Sequence, residues 1–280
     1  MSTINDYQRS FEQYKVIEEL TEALEGISSY RIRQIKDRVL LSKRFFQELF
    51  TIYQSLRVDK PATAPRGQHK RDLYIILTSA SGLTGDIDNA IVKQFLSDYD
   101  PSRGDVMSIG ARGAALLAAH SIAPVRYFDQ PDILRPIDTA SIIQYVPEYR
   151  RTYVYYQEFE SLMVQRVGKI ELILEAKSTG DATLSAEDKR NLIIASDYLF
   201  EPSEVAVVNH LEKVMLNITL TQLIFESQLS QFAARFTSML TANSRAKQAA
   251  HNTRLKYLAA RRLRRDEAAH EIIYAMRSVQ

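Results

Sequence analysis

The chain has 280 residues, 45% hydrophobic and 25% charged, which is enough apolar material for at least one sizeable core and excludes a disordered tail. Its 36 Lys and Arg stand against 34 Asp and Glu, so a strongly basic nucleic-acid binder is excluded on overall balance. The absence of Cys excludes disulfide scaffolds, thiolate zinc sites, iron–sulfur clusters and cysteine nucleophiles, and no window approaches the ~18 apolar residues of a membrane span.

From Met1 to Lys60 there is one Gly and no Pro, and from Ser203 to Gln280 there is neither, so both ends are predicted to run as long helices. In the first, Ile32, Ile35, Val39, Ser42, Phe46, Leu49, Tyr53 and Leu56 keep a 3-4 spacing, a heptad seam. Residues 61–71 (PATAPRGQHKR) read as an exposed connection. Apolar runs then alternate with turn signals and amphipathic stretches. Leu73–Leu77 reads as a strand, Asn89–Leu96 as a helix, Asp105–Ile109 as a strand, Ala111–His120 as a helix and Val125–Phe128 as a strand. A helix is predicted over Ile137–Tyr149, a strand over Thr152–Tyr156, and an antiparallel edge strand over Ser161–Leu174. The alternation predicts a Rossmann-like α/β domain over 61–200, between coiled-coil helices over 1–60 and 201–280.

In the closing helix, Leu211, Met215, Ile218, Gln222, Phe225, Leu229, Phe232, Phe236 and Met239 follow a strict 4-3 spacing. Two such seams, one at each end of the chain, predict an antiparallel left-handed coiled coil with the α/β domain as an insert. Beyond Met239 the register continues through Asn243, Ala246, Ala250, Thr253, Tyr257, Ala260 and Arg264, too small and polar for a strong two-helix core. The forty residues from Leu240 would span ~60 Å, so either the end frays or something outside the chain surrounds it.

Charge follows the same division: residues 230–280 carry 10 basic and 3 acidic side chains, against 17 and 23 over 59–229. A basic helical end is either a solvated face or the complement of an acidic partner. The Gly82-Leu83-Thr84-Gly85 turn follows a strand, where an open α/β sheet binds ligands. It matches neither Gly-x-x-x-x-Gly-Lys-Ser/Thr nor Gly-x-Gly-x-x-Gly and is expected to be a structural turn. The five His residues lack metal-ligand spacing, and Ser79 and Ser81 lack a nucleophile elbow, so neither a metal, a cofactor nor a catalytic constellation is expected.

Several segments in this order resemble the gamma subunit family of the rotary F-type ATP synthase. Lys15–Tyr53 is similar to that family's first helix through Leu20, Thr21, Ala23, Leu24, Ile27, Arg31, Ile32 and Arg33. Leu77–Lys93 resembles its Thr-Ser-Asp-x-Gly-Leu-Cys-Gly segment, Asp197–Ser203 its Tyr-x-Phe-Glu-Pro-Ser entry to the last helix, Arg235–Ala242 its Arg-Met-x-Ala-Met-x-x-Ala, and Glu271–Ile273 its Glu-Ile-Val. Gly26, Ser244 with Arg245, and Ala275 with Met276 depart from the family's pattern.

The resemblance implies a rotor shaft without a catalytic site of its own. Its partners would be a 3:3 ring of alpha and beta subunits, an epsilon subunit and the c-ring, with no nucleic acid. It further implies a partner interface at Arg31, Arg33, Arg235, Met239, Arg254, Arg261, Arg262, Arg264, Arg265 and Glu271. With no Cys for the chloroplast dithiol and no presequence, it implies a bacterial protein, peripheral on the cytoplasmic face of the cell membrane. The rival reading is a coiled-coil scaffold with an α/β head that dimerises through its seam.

Overall fold

The computed structural model describes residues 4–56, 71–131, 138–172 and 204–277. The chain divides into two compact units, Met1–Ser29 with Arg235–Gln280, and Tyr30–Ala234. Helix α1 spans Ile4–Leu56 and helix α5 spans Glu204–Arg277. Among the described residues no helix is long and apolar enough to cross a membrane.

The unit Tyr30–Ala234 is built on a five-stranded sheet of order β3-β2-β1-β4-β5. Its strands are β1 (Asp72–Leu77), β2 (Gly104–Ile109), β3 (Arg126–Phe128), β4 (Thr152–Phe159) and β5 (Gln165–Glu171). β1 pairs in parallel with β2 and β4, β2 in parallel with β3, and β5 antiparallel to β4 at the edge, as the sequence pattern predicts. All six residues of β1 are buried, as a near-continuous apolar run requires of a central parallel strand covered on both faces.

Successive side chains of a strand point to opposite faces, and each face finds its own cover. Tyr74, Ile76, Val106 and Tyr155 pack under α2 (Ile87–Asp98) and α3 (Ala111–Ala119) through Ile91, Val92, Phe95 and Leu117. Leu73, Ile75, Leu77, Met107, Ile109 and Val154 face the other way. They pack on Ile142 and Ile143 of α4 (Ala140–Ile143), Val146, and Leu216, Leu220, Leu223 and Ile224 of α5.

The helix predicted over Ile137–Tyr149 is corrected. Its described part is α4 followed by a 3-10 turn at Val146–Glu148, with Pro147 in that turn. Proline has no N–H to donate and its ring crowds the preceding turn, so an α-helix does not run through it; Ile137 lies outside the described residues.

α5 carries two buried faces within this unit. Phe225 and Leu229 pack on Ile35 of α1, with Ile32, Val39 and Phe232 partly buried around them, which is the predicted seam. The Leu216–Ile224 face lies on the sheet, a use that the heptad reading leaves out. The side chains of Phe46, Tyr53 and Leu56, residues 61–70 of the connection, and the Asp197–Ser203 segment lie outside the described residues.

In the unit Met1–Ser29 with Arg235–Gln280, Met239, Asn243, Ala246 and Ala250 are buried, and Thr253, Tyr257 and Ala260 half-buried, in the register predicted. Opposite them α1 buries Thr21 and Ser28, with Tyr7 and Tyr14 half-buried. Asn243 Nδ2 donates to Glu18 O at 2.9 Å and to Thr21 Oγ1 at 3.1 Å. With Thr21 beside Asn243, antiparallel helices bring Ile4 level with Ala260, which is where burial on α5 stops. The forty-residue end expected from Leu240 to fray or to be surrounded from outside is therefore shorter than predicted, because α1 pairs with it as far as Ala260. Small side chains let two backbones approach closely, and a search for large apolar knobs passes over such a seam.

Candidate functional site

Beyond Ala260 every described residue of α5, Arg261 to Arg277, is exposed. Nothing in the composition breaks the helix there, since Ala, Arg, Leu and Glu are strong helix formers. Arg254, Arg261 and Arg265 follow at spacings of seven and four and share one face, while Arg262 and Arg264 lie around from it; all five are exposed. Glu271 is exposed as well.

Large apolar side chains that the charge reading passes over accompany these arginines. Leu263 is 62% exposed, Tyr274 69% and Met276 69%, with Leu255, Ile272 and Ile273 also in the open. A basic helix that is also apolar on its surface presents both parts of a protein-binding surface, charge and contact area.

The same unit carries a shallow groove of about 630 Å³ lined by Tyr14 and Ile17 of α1 and by Thr241, Ala242, Arg245 and Ala246 of α5. On α1, Val16, Leu20 and Ile27 are each more than half exposed, at spacings of four and seven that align them on one face. Of the remaining predicted interface residues in this unit, Arg235 is half-buried and Met239 is 5% exposed. Arg31 and Arg33 belong to the unit Tyr30–Ala234. Arg31 is half-buried, its Nη1 donating to Gln34 Oε1 at 3.3 Å, and Arg33 is exposed.

The unit Tyr30–Ala234 contains a buried polar network that sequence reasoning missed. Asp88, in the first turn of α2 and 2% exposed, accepts four hydrogen bonds. Ser79 N–H donates at 3.2 Å, Ser79 Oγ at 2.5 Å, Thr84 Oγ1 at 3.0 Å and Gln157 Nε2 at 2.9 Å. Gln157 Oε1 in turn accepts from Ser227 Oγ and, at 3.2 Å, from Gln231 Nε2. Gln231 Oε1 accepts from Gln130 Nε2 at 2.7 Å, and Gln130 Oε1 takes the Ala80 N–H at 2.8 Å. The available signal was the run Ser227, Gln228, Ser230, Gln231 set between the seam residues Phe225, Leu229 and Phe232, all four buried.

The Gly82–Gly85 turn closes onto this network. Leu83 and Gly85 take positive φ, 70° and 65°, and Thr84, 2% exposed, turns inward to Asp88. A buried carboxylate directly beneath the turn works against a phosphate there. Among the described residues no group of three His, Asp or Glu is placed to hold a metal ion.

Comparison with known proteins adds three findings. A family model described as ATP synthase matches residues 3–278. Among curated relatives, the chain is 26% identical to the ATP synthase gamma chain of Chloroherpeton thalassium, covering 93% of both chains. It is 24% identical to that of Chlorobium luteolum, covering 98% of this chain and 97% of the other. Among solved structures it is similar to a chain of the Euglena gracilis mitochondrial ATP synthase OSCP/F1/c-ring assembly. The TM-score is 0.70 at 15% identity, covering 99% of this chain and 94% of that one.

Proposed function

This chain belongs to the ATP synthase family, and on that premise we propose that it is the gamma subunit, the central-stalk rotor that couples ion-driven rotation of a c-ring to ATP synthesis at alpha and beta subunits. The observation that carries the reading is the end of α5, where Arg261 to Arg277 is fully exposed with both arginines and large apolar side chains along it. A helical end of that composition is stable in a protein sleeve and costly in water. A ring of alternating alpha and beta subunits supplies such a sleeve.

In this reading the chain does no chemistry. The helix pair transmits torque as a packed coil, and its small residues past Met239, Asn243, Ala246 and Ala250, keep it slender inside a narrow collar. Arg254, Arg261, Arg262, Arg264 and Arg265 meet acidic loops of the ring, so that each rotational step changes which catalytic site opens. Arg31, Arg33, Arg235 and Glu271 complete the ring contact, Met239 supports that interface from within the helix seam, where it is 5% exposed, and the α/β domain faces an epsilon subunit and the c-ring. The chain is then peripheral, held through its complex at the cytoplasmic face of a bacterial membrane.

The test is co-expression with alpha and beta subunits. The rotor reading expects one copy of this chain per three alpha–beta pairs and a monomer in sedimentation when alone. A self-associated dimer that leaves those subunits behind would establish the scaffold reading instead. In the holoenzyme, truncation after Tyr257 is expected to impair ATP-driven pumping; unimpaired pumping and synthesis would remove the exposed end from the mechanism.

A further inference from the structure

The side chains that seat α5 on the sheet, Leu216, Leu220, Leu223 and Ile224, act by burial, which is non-directional and proportional to area. Contact of that kind resists separation more than sliding, because one leucine-rich turn is nearly equivalent to the next at a step of ~5.4 Å. One turn further on the surface changes character. Ser227, Gln228, Ser230 and Gln231 are all buried, and the hydrogen bonds they make hold only within narrow limits of distance and angle.

Replacing such a network by apolar side chains of similar volume is often neutral or stabilising, so stability gives no reason for its presence. The best-attested use of polar residues in a packed interface is to fix register. The network reaches α5 from β4, where Gln157 Oε1 accepts from Ser227 and Gln231, and from the loop after β3, where Gln130 donates to Gln231; Asp88, itself held by Ser79 and Thr84, fixes the other end of the Gln157 amide. Two flanking bonds, Gln228 Nε2 to Pro131 O at 2.7 Å and Ser230 Oγ to Glu158 O at 3.2 Å, point the same way. A carboxylate at the root makes its four bonds charge-assisted, the strong class.

We propose that Asp88, Gln157, Ser227 and Gln231 form a shear lock that fixes the axial and rotational register of α5 on the sheet, so that a twist applied to the sheet reaches the helix without slip. Gln157, Ser227 and Gln231 are positioning residues and Asp88 is their anchor. The torque half of this statement rests on the rotor reading, whereas the register half does not.

Because the chain has no Cys, thiols introduced as Lys93→Cys and Lys213→Cys, both at exposed positions, are unique labelling sites for a spin-pair distance measurement on the full chain. The parent is expected to give one narrow distance. The triple variant Gln157→Leu, Ser227→Ala, Gln231→Leu keeps the core close to its volume. It is expected to fold with a lowered melting midpoint, since Asp88 keeps three of its four bonds and Gln130 loses its acceptor, while its distance distribution broadens or gains a population displaced by about one helical step, ~5.4 Å. A single narrow peak at the parent distance overturns the lock. Should the triple variant not fold, Ser227→Ala alone is read in the same way, and an unchanged distribution overturns the lock there too.

In the reconstituted complex the same variants are expected to pump fewer protons per ATP hydrolysed while hydrolysis continues. An unchanged ratio beside a loosened register overturns the torque half. If the parent chain does not assemble with alpha and beta subunits, the rotor reading fails while the distance result stands.

Discussion

Tyr155 is fully buried, and its hydroxyl donates to Asp98 Oδ2 at 2.8 Å, the same oxygen that Lys169 Nζ meets at 2.8 Å. The lysine also lies over the rings of Tyr153 and Tyr155, at 5.1 and 5.4 Å from their centroids, so one cation serves a carboxylate and two π faces. The Lys169 hydrogen bond, and after it that of Tyr155, holds the Asp98 carboxyl below its ordinary value. Burial, and after it the bond to Asp98, pushes the Tyr155 phenol far above its own. The consequences for stability have opposite signs along the pH axis. The Tyr155 contribution is present below the unfolded phenol value of about 10 and is lost as pH rises from there towards the folded value. Urea midpoints followed above pH ~10 should therefore fall less steeply in Tyr155→Phe than in the parent; parallel slopes would show that another group governs the alkaline limb. The Asp98 contribution is present above about pH 4 and lost as pH falls through the lowered folded value. Lys169→Met should accordingly be less stable than the parent near neutrality and converge on it in acid, and a deficit independent of pH would contradict this assignment.

At the scale of elements, the tightest constraint is where β2 turns into α3. Gly110 takes φ +101°, and a Cβ there would stand 2.1 Å from Thr78 O, a backbone atom that cannot give way because Thr78 N–H is bonded to Ile109 O at 2.9 Å. Gly110→Ala should cost about 3 kcal/mol or prevent folding, from strain alone at the upper end of what a left-handed position imposes. Gly26 is the opposite case, an exposed helix-interior glycine where an added methyl would meet nothing within 4 Å, and Gly26→Ala should stabilise the chain by about 1 kcal/mol in thermal or urea unfolding. These contrasts also explain which elements could be read in the sequence. β1, β2 and the Phe225–Leu229 seam were legible because large apolar residues recur at the period of the element. Three features were not, each for its own reason. The second face of α5, Leu216, Leu220, Leu223 and Ile224, is interleaved with a seam that already accounts for the helix's apolar character. The pairing of α1 with α5 through Thr21, Ser28, Asn243 and Ala246 uses side chains too small to register as a core. The Asp88–Gln157–Gln231 network depends on residues 69 and 74 positions apart meeting in space, which no local pattern encodes. The arginines of the exposed end were legible as charge, and Ile272, Ile273 and Met276 beside them only through the family likeness, because they keep no helical period that marks a buried face.

For the whole molecule, the decisive asymmetry is electrostatic. A chain of net charge +2 places 10 basic and 3 acidic residues in its last fifty-one positions, and the four arginines at 261, 262, 264 and 265 all stand in solvent. Exposed charges interact over roughly a Debye length, about 10 Å at 0.1 M salt, so their main effect falls on the encounter with an oppositely charged partner rather than on the folded state. Two outcomes follow if the partner is the acidic lining of a catalytic ring. Neutralising the four arginines to Gln should leave the chain's own unfolding free energy within about 0.5 kcal/mol of the parent, since exposed positions of this kind carry little folding energy. Its association with alpha and beta subunits should slow, and the parent's rate should fall by about tenfold or more as salt is raised while the variant's changes little. The apolar side chains at 272–276 act later, after the end has entered its sleeve, so Ile273→Ser with Met276→Ser should instead raise the dissociation rate and leave the salt dependence intact. Stopped-flow association across a salt series separates the two: a parent rate indifferent to salt would remove electrostatic steering, and with it the role proposed for the arginine cluster.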